Sequence, residues 1–171
     1  SNIEVLSFSR LSHRIMEEVG GEEIPVLDDT GKSLIIRHVA EGISDKLQVM
    51  GSKLHRYGFV HEVKSAISEF MQYGIDPDGL HNLIKETSNR KALVTKLGDL
   101  ELIYRAFLQH KADNFITREE TLDKTRKGLH KSKLVRDSII VFDGFTGFTP
   151  IQERVIEELM LLAGTVVFSF V

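Results

Sequence analysis

The stretch Ser138-Ile139-Ile140-Val141-Phe142-Asp143-Gly144-Phe145-Thr146-Gly147-Phe148-Thr149-Pro150-Ile151-Gln152 decides how this chain is read. Ile139 to Phe142 is a continuous apolar run, rich in β-branched residues and ended by Asp143-Gly144. A parallel strand buried on both faces has this composition. Thr149 to Gln152 spells a capping box with Pro at the first helical position. Ile151, Val155, Ile156, Leu159 and Leu162 follow at helical spacing, and Gly164 closes the helix. Thr165 to Phe170 then reads as another strand, so the segment is a βαβ unit.

Working outward, Ile3 to Phe8 reads as a further strand. Ser9 sits where a helix N-cap belongs, Leu11, Ile15 and Val19 mark the helix, and Gly20-Gly21 ends it. Between these parts the pattern is helical. Leu34, Ile35, His38 and Val39 form one stripe. Phe59, Val60, Val63, Ile67, Phe70 and Met71 form a second, closed by Gly74. Asp76-Pro77 starts a third helix, Leu93 to Phe107 marks a long fourth, and Thr117 to about His130 a polar fifth. The expected fold class is α/β, with Ile3–Phe8, Ser138–Phe142 and Thr165–Phe170 in one three-stranded parallel sheet. The expected bounds are 1–29 with 132–171 for the α/β domain and 30–131 for an all-helical insertion.

The chain has 171 residues, a net charge of −3 and no cysteine. Disulfides, thiolate metal sites and cysteine nucleophiles are therefore excluded from this stretch. Bulk charge does not hold such a chain on nucleic acid, so any binding must be local. No apolar run reaches the roughly 18 residues of a membrane span. A cytoplasmic location is expected. Ser1-Asn2 resembles a cloning scar, and Val171 ends an apolar run, which suggests a piece of a longer protein.

Gly31-Lys32-Ser33 invites a phosphate-loop reading, but position 26 is Val26 where that loop needs glycine. A surface turn and helix start at Asp28 to Gly31 is the better reading. Asp143, at the C-terminal end of a strand, lies where α/β sheets bind ligands, and an Asp-Gly turn explains it equally. Gly144 stands where a water-activating Glu would follow, so a base for hydrolysis is missing. Ser7, Ser9 and Arg10 end the first expected strand, where hydroxyls and helix-start amides can hold a phosphate, although a serine there can be only a cap. Arg118 to Arg136 carries seven Lys or Arg and three acids. Lys127 and Lys131 in it could follow a nucleic-acid backbone, or form a solvated face. The histidines show no helical HxxxH pair and no G-x-S-x-G elbow is present.

Val5-Leu6-Ser7-Phe8-Ser9-Arg10-Leu11 resembles the strand and loop after the phosphate loop of superfamily 1 helicases. Ile140 to Pro150, with its Asp-Gly-Phe-x-x-Phe-Thr-Pro pattern, is similar to the degenerate second helicase motif in the B subunit of bacterial AddAB (RexAB) helicase–nucleases. Arg56-Tyr57-Gly58-Phe59 and Ser68-Glu69-Phe70 resemble that family's helical insertion. The resemblance implies a partial RecA-like (P-loop NTPase-like) domain from a subunit that processes DNA double-strand breaks for repair and recombination. The partners implied are DNA and the A subunit, with no membrane. ATP and Mg are implied for the parent and no cofactor for the fragment, Asp143 facing the Mg-nucleotide and Ser7, Ser9 and Arg10 facing DNA. The fragment alone is expected to be inactive. The alternatives are a protein-interaction module or a small Asp-dependent phosphotransferase. A haloacid-dehalogenase-like version of the latter needs a second Asp where Phe145 stands.

Overall fold

A computed structural model of the chain describes residues 3–21, 24–87 and 89–169. In chain order the elements are α1 (Phe8–Val19), α2 (Asp29–Gly42), α3 (Phe59–Gln72), α4 (Pro77–Glu86), α5 (Lys91–Lys111), α6 (Arg118–Gly128), β1 (Ile139–Phe142), α7 (Pro150–Leu162) and β2 (Thr165–Phe168). Short 3-10 turns lie at Ser44–Lys46, Gly51–Lys53, Ala112–Asn114 and Leu129–Lys131. The chain forms two compact units, Ser1–Glu23 with Arg118–Val171, and Ile24–Thr117.

The first unit is built on the βαβ segment. β1 and β2 pair in parallel, from Ile139 against Thr165 to Phe142 against Phe168. α7 makes the crossover, and its start is fixed locally. Thr149 accepts from the Gln152 N–H, and the Gln152 side chain accepts from the Thr149 N–H at 2.9 Å. Ile15 of α1, Leu129, Val135, Phe142 and Val155, Ile156 and Leu159 of α7 form the core. Burying each such side chain fully is worth about 1.5–3 kcal/mol.

The second unit is all-helical. Ile36, Val63, Ile67, Leu80, Ile103 and Phe107, from α2 to α5, fill its core. Its two ends are joined by an isolated parallel bridge between Val26 and Ile116, with the Leu27 N–H donating to the Ile116 carbonyl at 2.8 Å. Asp28 caps α2 by accepting from the Gly31 N–H at 2.6 Å, and Asp76 caps α4 from Gly79 at 2.7 Å. The Gly-Lys-Ser stretch is thus a helix start. Lys32 is buried and donates to Ser68 Oγ at 3.0 Å inside this unit.

Three expectations change. First, the described residues hold a two-stranded sheet, not a three-stranded one. Residues 3–7 form no strand and Phe8 belongs to α1. Ile3 and Val5 are 92% and 90% exposed. A strand needs a neighbour for its backbone groups, and no described segment pairs with this one. The cap of α1 is correspondingly Ser7 and not Ser9. Second, β1 is buried on one face only, with Ile139 74% and Val141 57% exposed on the other. The alternate residues Ile140 and Phe142 pack into the core. Third, against expected insertion bounds of 30 and 131, the helical unit runs from Ile24 to Thr117. α6 packs with α1 and α7, because Leu122 and the Leu129 that follows it join the first unit's core. The last expected strand is β2, Thr165–Phe168, and Phe170 lies outside the described residues.

One carboxylate organises the helical unit. Asp99 in α5 is 1% exposed. Its Oδ1 accepts from the Gln48 N–H and its Oδ2 from those of Val49 and Met50, each at 2.8 Å. Helix α5 thereby fixes a loop about fifty positions earlier, and three backbone donors are satisfied at once. Asp99→Ala strands those donors and should cost about 3 kcal/mol or more. Urea unfolding followed by amide exchange at Gln48 to Met50 measures it, and Asp99→Asn should fall between the two because it keeps one acceptor.

Candidate functional site

The C-terminal end of β1 and the N-terminus of α1 meet over an aromatic cluster. Phe142, the last residue of β1, stacks on Phe168 of β2 with ring centroids 5.1 Å apart. Phe8 stacks on Phe142 at 5.9 Å and meets Phe145 edge-on at 5.7 Å. Phe148 lies 5.6 Å from Phe142 and 5.0 Å from Phe145. Rings at these separations contribute about 0.5–1.5 kcal/mol per pair beyond their burial. The Phe142, Phe145 and Phe148 spacing was visible in the sequence. Phe8 and Phe168 joining it was not, because they come from distant parts of the chain.

Asp143 follows Phe142 and is exposed. Gly144 next to it has φ +73°, a left-handed turn that favours glycine. The turn keeps Asp143 at the strand end while Phe145 folds back onto the cluster. Ser7 spends its hydroxyl as the cap of α1, accepting from the Arg10 N–H at 3.3 Å. Ser9 and Arg10 lie exposed in the first turn of α1. Arg10 has no ion-pair partner among the described residues. Asp143 and the Ser9–Arg10 turn therefore flank Phe142 and Phe8, which stack on each other.

The basic stretch is less available than its composition implies. Lys127 donates to Asp123 Oδ2 at 2.6 Å, and Arg126 to Oδ1 at 3.0 Å. Burial pushes the Asp123 carboxyl up, but the hydrogen bonds and charges of Lys127 and Arg126 outweigh it and hold Asp123 below its ordinary range. Lys131 is exposed in the turn after α6. Among the described residues no group of three or more His, Asp or Glu is placed to hold a metal. No helix there is long and apolar enough to cross a membrane.

Residues 1–171 match the family described as ADDB, N-terminal. The chain belongs to the ADDB N-terminal family. It is 42% identical over 165 residues, 96% of its length, to the B subunit of the ATP-dependent helicase/deoxyribonuclease of Lachnoclostridium phytofermentans. It is 38% identical over 163 residues to the protein of that name from Caldanaerobacter subterraneus, and 33% over 167 to the one from Acetivibrio thermocellus. It spans only 14% of the length of the first two relatives and 15% of the third.

In this ADDB N-terminal chain one carboxylate ties α1 to the approach to β1. Glu18 accepts from Ser132 Oγ at 2.5 Å, from the Lys133 N–H at 2.6 Å and from the Leu134 N–H at 3.1 Å. The Ser132 hydrogen bond holds the Glu18 carboxyl below its ordinary range. Desolvation opposes this, and the two backbone N–H groups and the Lys133 charge reinforce it. A folded-state value below the unfolded one means the carboxylate stabilises the fold above the unfolded value, about 4.3. That contribution disappears as pH falls through the folded value. The stability gap between the native chain and Glu18→Gln should therefore be full near neutral pH and close on acidification below about pH 4. Urea midpoints at several pH values check it, and a gap independent of pH would count against the clasp.

Proposed function

We propose that this chain is the N-terminal, helicase-like portion of one subunit of an ATP-dependent helicase–nuclease, and that its first unit is an incomplete RecA-like domain. The observation that carries the reading is the placement of Asp143 and the Ser9–Arg10 turn beside one aromatic cluster at the carboxyl end of a parallel strand pair. Ligands of open α/β sheets bind at that edge. The relatives, named as the B subunit of a helicase/deoxyribonuclease, agree with it.

On this reading single-stranded or duplex-end DNA meets the first turn of α1. Arg10 supplies the phosphate contact, with Ser9 and the free helix-start amides beside it. Ser7 acts by capping that turn. Lys131 adds a cation farther along the unit, whereas Lys127 is already engaged by Asp123. The bare face of the short sheet, where Ile139 and Val141 are exposed, is on this reading where the rest of such a domain packs. Magnesium and ATP relate to this chain through Asp143 alone. A single carboxylate suits magnesium, which keeps waters and substrate phosphates as its other ligands, but the described residues supply no phosphate cradle. The partner is the A subunit and the location cytoplasmic. The phosphotransferase alternative loses support because Phe145 packs into the aromatic cluster.

The test is fluorescence anisotropy with a labelled single-stranded oligonucleotide at two salt concentrations. Binding should be weak and salt-sensitive, and Arg10→Ala should weaken it while reducing the salt slope by about 0.7 for the lost phosphate contact. Lys127→Ala should change it less. Phosphate release from ATP by the chain alone should not exceed that of a heat-killed control. Equal effects of Arg10→Ala and Lys127→Ala would reject the α1 site.

A further inference from the structure

The helical unit contains a cavity that none of the chemistry above uses. It has a volume of about 370 Å³ and lies between α3, α5 and the loop running from Val49 to Lys53. Met50, Phe59, Val63 and Leu100 form its apolar floor. Lys53 and Lys96 stand at its edge, both exposed, against a single acid, Glu62. Neither lysine forms an ion pair among the described residues. The wall at Val49 and Met50 is held by two hydrogen bonds to Asp99, and Gln48 just before it by a third. The cavity is thus formed before any ligand arrives, and little ordering is left for the ligand to drive.

We propose that this cavity is a docking site for another protein, filled by an apolar side chain of that partner flanked by carboxylates. The size is that of an ordinary ligand pocket, about 300–1,000 Å³. An apolar floor rewards an aliphatic or aromatic anchor, and Met50 can adapt to its shape. A nucleobase in the same place would press polar edges against the apolar floor of Val63, Phe59 and Leu100, leaving only the groups at the edge to pair with them. The two lysines outnumber Glu62 at the edge and select acids beside the anchor, and they also steer such a segment toward the cavity. The relatives are named as one subunit of an enzyme, so a protein partner is the kind of molecule a free surface of this unit would meet.

The probe is a fluorescein-labelled, end-blocked hexapeptide, Glu-Glu-Leu-Phe-Glu-Glu, added to the full chain. Anisotropy reads the affinity, and methyl resonances of Met50, Val63 and Leu100 read the location. The expected result is saturable binding that shifts those methyls. It should weaken about tenfold in a Lys53→Glu/Lys96→Glu variant, where attraction becomes repulsion. Both lysines are exposed, so that variant should keep its circular dichroism spectrum. Ala66→Leu is an independent arm that narrows the cavity without changing charge, and it should weaken binding too. Binding that survives Ala in place of the peptide's Leu and Phe, or Lys in place of its Glu, overturns the proposal. So does binding that leaves the Val63 and Leu100 methyls unmoved, or an oligothymidylate that shifts them and displaces the peptide.

Discussion

Glu18 holds together two pieces of chain that lie 115 positions apart. The first unit consists of an N-terminal helix and a C-terminal βαβ segment, and folding must bring them together across everything between. Closing so long a loop costs entropy that local structure cannot recover. The carboxylate of Glu18 meets it with three donors in a row, Ser132, Lys133 and Leu134, just before Val135 enters the core. Phe8 at the start of α1 stacks on Phe142 at the end of β1. Without that tie the aromatic cluster would lose Phe8, one of its five rings.

The helical unit uses the same device at a different place. Asp99 gathers three N–H groups of one loop, as Glu18 gathers donors of another. Both are acids on helices that terminate a distant, irregular segment. A carboxylate suits this task because its two oxygens accept several hydrogen bonds from consecutive amides. The consequences differ. The Glu18 clasp is exposed enough to titrate and positions a candidate binding edge. The Asp99 clasp is buried and keeps the wall of an apolar cavity in place.

The candidate site divides its labour between packing and exposure. The phenylalanines supply a rigid floor. The groups that could meet a ligand, Ser9, Arg10 and Asp143, stand on it at turns. Arg10 is unpaired among the described residues while Lys127 is not, so charge counted along the sequence overstates what the surface of α6 offers. The exposed face of β1 is also informative. Its apolar composition is that of a strand covered on both sides, and among the described residues only one side is covered.

The sequence by itself determined the features that depend on neighbours within one turn. Asp28, Asp76 and Thr149 cap their helices where the pattern placed them, and Gly20 ends α1 in the left-handed conformation that glycine allows. The β1–α7–β2 unit was legible for the same reason, since a β-branched run, a capping box and a second apolar run each carry their own signal. Tertiary structure decided the rest. Ile3 to Phe8 has the composition of a strand, but a strand exists only with a partner, and here Ser7 captures the chain as a helix cap. α6 shows a polar pattern that names no neighbour, and it lies in the first unit because Leu122 and Leu129 find that core. Asp99 and Glu18 look like ordinary helix acids in the sequence. Their donors arrive from about fifty and more than a hundred positions away, and only the folded chain brings them into hydrogen-bonding distance.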